Sequence, residues 1–291
     1  MKSGFVSIIG KPNVGKSTLI NDIVGSKISI VTPKGQTTRN SITGIYNDEE
    51  SQIVFFDTPG IHKPFNELGI ALDKISYSTI RDCDIALLVV DAGREYDESD
   101  AFLCEKLKFD CKLIVVFNKI DTTRIELITS IKEKYNTLFP DALTCEICAK
   151  DGFGVTDLIK LIKENLEEGP AYYDVTQITD RDLSFRVQEI IREKLLILLD
   201  KEVPHGVLVL TEKIAKESGR LSIYCKIICE KESQKGIIIG KGGKMIKKIG
   251  TYSRQDIEKM LGQHINLELV VQVVENWRNS SRFLVKAGYK I

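Results

Sequence analysis

No stretch of this chain is long and apolar enough to cross a bilayer. The longest apolar runs, such as Ile85-Ala86-Leu87-Leu88-Val89-Val90, fall far short of the roughly 20 residues a spanning helix requires. Met1-Lys2-Ser3 leads almost at once into an apolar segment, without the charged-then-apolar pattern of a secretion signal. A cytoplasmic location is therefore expected. Net charge is lacking too, since 41 Lys+Arg balance 41 Asp+Glu. Proline is scarce, at seven residues, and there is no repeat or low-complexity tract, so the composition is that of an ordinary globular protein. Seven cysteines in 291 residues make an odd number in too long a chain for a small disulfide scaffold, and they fit a reducing compartment. Cys145-x-x-Cys148 and Cys225-x-x-x-Cys229 lie in β-like runs in different halves of the chain. They read better as small buried hydrophobes than as zinc half-sites.

The zero net charge hides an asymmetry. Residues 1–170 hold 20 Lys+Arg against 26 Asp+Glu, and the rest hold 21 against 15. A basic C-terminal part beside an acidic N-terminal part suggests that one domain meets a polyanion. A chain this long can build two cores. Short aliphatic segments at 5–9, 53–57, 85–91, 113–118 and 143–147 alternate with helical patterns at 67–81, 97–108, 124–138 and 155–167. That order predicts an α/β domain with a mostly parallel sheet flanked by helices. The alternating segment 40–47 suits an antiparallel edge strand paired with 53–57. Near 169 the texture changes. Residues 169–182 read as a linker between a first domain, 1–168, and a second, 183–291. The second is expected to be a smaller α+β unit: helix 183–199, strands 207–211 and 221–229, a glycine-rich turn at 236–243, helix 244–261, strand 266–274 and a terminal helix near 279–287.

The sharpest motif is Gly10-Lys11-Pro12-Asn13-Val14-Gly15-Lys16-Ser17-Thr18, placed between strand 5–9 and a helix from Thr18. It matches G-x-x-x-x-G-K-[ST], a loop whose backbone N–H groups cradle phosphates. Lys16 would reach the β and γ phosphates and Ser17 would ligate Mg²⁺. Asp57-Thr58-Pro59-Gly60 ends the strand 53–57; Asp57 would hold the metal through water and the Gly60 N–H would sense the γ-phosphate. Thr38, in the loop after the first helix, is a natural hydroxyl to join Mg²⁺ when that phosphate is present. Asn118-Lys119-Ile120-Asp121 ends strand 113–118. The Asp121 carboxylate suits the N1–H and N2–H of guanine, which adenine does not present, and the Lys119 stem can lie over the base. Cys148-Ala149-Lys150 could offer a backbone N–H to guanine O6. All fall at strand ends, where open α/β sheets bind ligands, so GTP or GDP with Mg²⁺ is the expected ligand.

The second half carries Gly236-Ile237-Ile238-Ile239-Gly240-Lys241-Gly242-Gly243-Lys244-Met245-Ile246. Gly240-Lys241-Gly242-Gly243 has the form of the G-x-x-G loop with which KH domains clamp single-stranded nucleic acid. Lys241 would meet phosphate, with Lys235, Lys244, Lys247 and Lys248 thickening the positive field. Met245, Ile246, Ile249, Ile257, Met260 and Leu261 form the expected core stripe. A second nucleotide loop is excluded because no G-K-[ST] follows.

The first 168 residues resemble the translation-factor-related class of GTPases. The forms Gly-x-Pro-Asn-x-Gly-Lys-Ser, Gln36-Thr37-Thr38-Arg39 and Asp57-Thr58-Pro59-Gly60 are those of its Era branch. The type II KH order, the sequence Ile178-Thr179-Asp180-Arg181 and the segment from Leu267 to Trp277-Arg278 extend the resemblance to essentially the whole chain. Cys148 departs from the usual Ser of the fifth motif. Ile61 stands where a Ras-like enzyme has its water-orienting glutamine, and His62 reads as a surface residue. The resemblance implies GTP hydrolysis, assisted by a potassium ion that Asn13 helps to hold; Asn13 as a mere loop former stays open. It also implies binding to the 3′ end of 16S ribosomal RNA, a role in 30S subunit assembly and partial peripheral association with the inner membrane; a monomer is expected. The residues expected to act on the phosphate are Asn13, Lys16, Thr38 and Gly60. The alternatives are a GTP-gated RNA-binding module, or a membrane-surface regulator, with negligible hydrolysis.

Overall fold

A computed structural model describes residues 1–32, 38, 41–61, 67–200, 202–217 and 219–286. The chain divides into two compact units, Met1–Phe65 with Gly69–Asp180, and Asn66–Leu68 with Arg181–Ile291.

The first unit contains β1 (Lys2–Ile9), α1 (Lys16–Val24), β2 (Ile42–Asn47), β3 (Ser51–Asp57), α2 (Glu67–Arg81), β4 (Ile85–Asp91), α3 (Glu98–Lys106), β5 (Lys112–Asn118), α4 (Ile125–Leu138), β6 (Leu143–Glu146) and α5 (Val155–Asn165). The six strands lie in the order β2-β3-β1-β4-β5-β6. All neighbours are parallel except β2 and β3, which pair antiparallel with Ile42 opposite Asp57. The central strands are apolar on both sides because both faces are covered. On β4, Ile85, Leu87 and Val89 join Leu19, Ile20, Leu158 and Ile162. Leu88 and Val90 point the other way, into a cluster with Leu103, Ile131 and Tyr135. The parallel pairing of β3, β1, β4 and β5 brings their C-terminal ends to one edge, and the nucleotide motifs follow from them.

The segment read as a linker is strapped to the sheet over 172–180. Ile45 N donates to Ile178 O at 3.0 Å, and Thr43 Oγ1 donates to Asp180 Oδ2 at 3.0 Å. Gln52 Oε1 accepts the N–H groups of Tyr172 and Tyr173, and its Nε2 donates back to Tyr173 O. The unpaired edge of β2 is thus partly covered, the usual remedy for an exposed edge strand.

The second unit contains α6 (Leu183–Leu198), β7 (Leu208–Glu217), β8 (Arg220–Cys229), α7 (Glu232–Ile239), α8 (Lys244–Leu261), β9 (Ile265–Val273) and α9 (Ser281–Lys286). Its sheet, β7-β8-β9, is antiparallel between β7 and β8 and parallel between β8 and β9. One face is covered: Ile223, Cys225, Ile227 and Cys229 of β8 pack with Val187, Ile191, Ile249 and Ile257. Two expectations need correction. Residues 236–239 belong to α7 rather than to a turn, which shrinks the turn to 240–243. The strand expected at 207–211 runs on to Glu217. Trp277 closes this core, fully buried, with Nε1 donating to Gly206 O at 3.0 Å.

Candidate nucleotide and RNA sites

The phosphate loop joins β1 to α1. Gly15 sits at φ 101° as the N-cap of α1, a helix that begins with no side-chain cap and no acidic residue in its first turn. Its first N–H groups are thus left for an anion. A Cβ at Gly15 would come within 2.2 Å of Asn118 Nδ2, so only glycine fits. Lys16 is buried, and its Nζ donates to Gly10 O and Lys11 O at 3.0 and 2.9 Å. Burial pulls its pKa down to about 8, against the opposing charge of Asp57.

Ser17, Thr38 and Asp57 meet in one buried cluster. Ser17 Oγ donates to Asp57 Oδ2 at 2.8 Å and lies 2.9 Å from Thr38 Oγ1, itself 3.2 Å from the same carboxylate oxygen. Ser29, which the sequence reading did not single out, adds a hydroxyl on Asp57 Oδ2 at 2.8 Å. Asn21 holds Ser29 in place, accepting its N–H and donating to its carbonyl. Burial pushes the Asp57 carboxyl upward, with Lys16 and the three hydroxyls opposing. Asp57 Oδ1 is buried and has no hydrogen-bond partner among the described residues. An orphaned carboxylate oxygen among hydroxyls is an all-oxygen donor set, and it fits a hard divalent cation such as Mg²⁺.

Pro12, Asn13, Gly15, Lys16, Ser17, Thr18, Thr38, Gly60 and Lys119 line one cleft of about 440 Å³, together with Ile30, Val31 and Thr32. Thr58 and Pro59 turn to structural work. Thr58 Oγ1 donates to Ile8 O at 2.8 Å, and Pro59 O accepts from Ser76 of α2 at 2.9 Å. Val14 belongs to the core, and Lys11 points away from the cleft to α3. Ile61 is buried, with its N–H on Gly10 O at 3.3 Å. Gln36, Thr37, Arg39 and His62 lie outside the described residues.

The base-side motifs are tied to the phosphate loop by two side chains. Asn118 Nδ2 donates to Val14 O at 2.8 Å while Oδ1 accepts Ala149 N at 2.9 Å. Lys119 Nζ donates to Asn13 O and to Asp91 Oδ2, both at 2.7 Å. Asp121 is exposed, as is Lys150. Cys148 is buried against Asp121 and Asp151, its thiol donating to Asp151 Oδ2 at 3.4 Å, and burial pushes that thiol upward. Cys145 joins no metal-ligating group among the described residues, and Cys225 and Cys229 are core residues.

In the second unit, Gly240 has φ 70°, and a Cβ there would come within 2.7 Å of Met245 Cβ. Gly242 and Gly243, at φ 59° and 75°, have open space where a Cβ would stand. Gly243 is the N-cap of α8, which also begins without a side-chain cap. Lys241, Lys244, Lys247 and Lys248 are exposed around this turn. Beside it runs a groove of about 340 Å³ lined by Ile246, Lys247, Gly250, Thr251 and Arg254 of α8 with Leu267 and Leu269 of β9. Ile246, expected only to pack, therefore also forms part of an open wall.

A phosphate loop, a carboxylate–hydroxyl cluster and an Asn-Lys-x-Asp motif on this sheet define a GTPase domain, and it is followed by a KH domain. The 50S ribosome-binding GTPase family profile matches residues 5–119, and the KH domain profile matches residues 202–278. GTPase Era of Alkaliphilus metalliredigens is 46% identical over 293 residues, covering 99% of each chain. GTPase Era of Clostridium kluyveri is 46% identical over 292 residues, covering 100% of each. A crystal structure of Era in complex with MgGDPNP and nucleotides 1506–1542 of 16S ribosomal RNA superposes over the whole of both chains, with TM-score 0.96 and 35% identity. An Aquifex aeolicus Era variant bound to GDP·AlF4⁻ does so with TM-score 0.95 and 36% identity. The chain belongs to the Era family of GTPases. Among the described residues no helix is long and apolar enough to cross a membrane.

Proposed function

We propose that this chain binds and hydrolyses GTP in its first unit and binds the 3′ end of 16S ribosomal RNA through its KH domain, acting in 30S subunit assembly. One observation carries this reading: the Era structure that matches the chain end to end holds both MgGDPNP and 16S nucleotides 1506–1542. GDP·AlF4⁻, held by a second matching structure, mimics a phosphoryl group in transfer. Ser17, Thr38 and Asp57 would hold Mg²⁺, which neutralises charge on the β and γ phosphates. Lys16 would bind the same oxygens, the Gly60 N–H the γ-phosphate, and Asp121 the guanine edge, with Lys119 along the base and the Ala149 region near O6. Ile61 cannot orient water. Asn13, on the cleft wall, is assigned a share in holding a potassium ion, whose charge offsets that on the transferred phosphate. Gly240–Lys244 would clamp the RNA backbone. The protein would work as a monomer in the cytoplasm, with a peripheral fraction at the inner membrane. Two measurements test this. Phosphate release from GTP should be faster in KCl than in NaCl at equal ionic strength, and Asn13→Ala should remove most of the difference. RNA crosslinked to the protein should map to the 16S 3′ end and change in yield with a GTP analogue. RNA binding without phosphate release in either salt would make the chain a GTP-gated binding module.

A further inference from the structure

The second residue of the phosphate loop has its own anchor. Lys11 is 6% exposed, and its Nζ lies 3.0 Å from Asp97 Oδ1, 2.5 Å from Asp100 Oδ2 and 2.9 Å from Ser99 Oγ. These acceptors form the start of α3. Asp97 caps the helix by accepting the N–H groups of Ser99 and Asp100, and Asp100 accepts the Asp97 N–H in return. The second Asp100 oxygen accepts Tyr135 Oη at 3.2 Å. The carboxylate facing Lys11 is thus held on every side, which leaves the lysine little freedom.

The two halves of the loop are held by different parts of the fold. Asn13 O and Val14 O are held from the base side, by Lys119 and Asn118. The half 10–12 is held by α3 through Lys11 and abuts the segment after β3. Gly10 O accepts Ile61 N, and a Cβ on Gly60 would fall 2.8 Å from Pro12 N. The Lys11 carbonyl also accepts Lys16 Nζ at 2.9 Å.

We propose that Lys11 and the Asp97–Asp100 capping box form a clamp that positions the γ-phosphate end of the nucleotide site. The clamp sets the preference for triphosphate over diphosphate. Lys11 is a positioning residue, acting through its own carbonyl and through the Pro12–Gly60 contact. This rests on the GTPase reading above. A buried ion pair is a poor stabiliser compared with apolar side chains of the same size, so stability alone is a weak reason for charge at this spot.

The test uses the full chain in three forms. Lys11→Met with Asp100→Asn removes the pair without leaving either buried charge alone. Lys11→Arg keeps the cation and can bridge both carboxylates. Asp97→Asn keeps the helix cap and removes one charge, and it serves if the double variant does not fold. GDP and GTP-analogue affinities are measured with phosphate release and thermal melting. In the double variant, analogue affinity and turnover should fall about tenfold, below the roughly hundredfold loss of rate that a 1 Å misplacement of reacting groups can cause, while GDP affinity changes less than about threefold. Asp97→Asn should move the same way by less, and Lys11→Arg should keep wild-type ratios. Equal losses for both nucleotides, or no loss for either, would overturn the clamp while leaving the GTPase reading intact. Failure of the wild-type chain to bind or hydrolyse GTP would overturn both.

Discussion

Asn118→Ala separates what Asn118 does for the fold from what it does for the nucleotide. The side chain is 2% exposed and bridges two buried backbone groups, Val14 O and Ala149 N, at 2.8 and 2.9 Å. Alanine leaves a carbonyl and an N–H unpaired. Each orphaned group costs about 1–3 kcal/mol, and the lower part of that range gives about 2–4 kcal/mol for the two together. That is a large share of a typical stability of about 5–15 kcal/mol. With a urea slope of about 2–3 kcal/mol per M, the midpoint of the first unit should drop by about 1 M. The assay exploits the single tryptophan. Trp277 is buried in the second unit, so its fluorescence follows that unit alone, whereas far-ultraviolet circular dichroism follows both. The mutation should shift the dichroism transition and leave the fluorescence transition in place. Nucleotide affinity should also fall, because the phosphate loop and the Ala149 loop lose their common tie. A dichroism midpoint that moves by less than about 0.2 M, or a tryptophan transition that moves equally, would refute the reasoning.

Asp121→Asn should lose GTP affinity and gain xanthosine triphosphate, whose carbonyl needs a donor where guanine offers one; unchanged preference in competition binding would remove Asp121 from the base site. Lys16 has a folded pKa of about 8 against an ordinary 10.5. Between those values the unfolded chain binds more protons, so stability without nucleotide should rise with pH across that window. Phosphate favours the charged amine, so binding should take up more protons at pH 9 than at pH 7. Calorimetry in two buffers of different ionisation enthalpy measures this, and equal uptake at both values would contradict it. Replacing Lys241 and Gly242 together with aspartate puts charge and Cβ atoms into the open space of the KH turn. Single-stranded RNA affinity should collapse, GTP hydrolysis should persist, and the slope of log K against log salt should flatten by about 0.7 for each RNA phosphate the turn no longer neutralises. Wild-type RNA affinity would place the RNA site elsewhere.

Sequence alone determined the parts whose chemistry is contiguous. Gly10–Thr18, Asp57–Gly60, Asn118–Asp121 and Gly240–Lys244 are short loops whose backbone shape depends on neighbouring residues. The strands of the first unit announced themselves because both faces of its sheet are apolar, whereas the half-covered sheet of the second unit became evident only in its packing. Helix α7 escaped because a glycine and three β-branched isoleucines read poorly as helix; only the burial of Ile238 in the second core overrides that local preference. The tertiary structure decided the remaining ties. Lys11 meets residues 86 to 89 positions away, Ser29 meets Asp57 across 28, Asn118 reaches Val14 across 104, and the 172–180 strap returns to β2. Such partners carry no mark in the sequence, because a lysine, serine or asparagine is equally at home in water. What selects their partners is the order β2-β3-β1-β4-β5-β6, which gathers the strand ends at one edge, and the burial there, which makes an unpaired polar group too costly to leave.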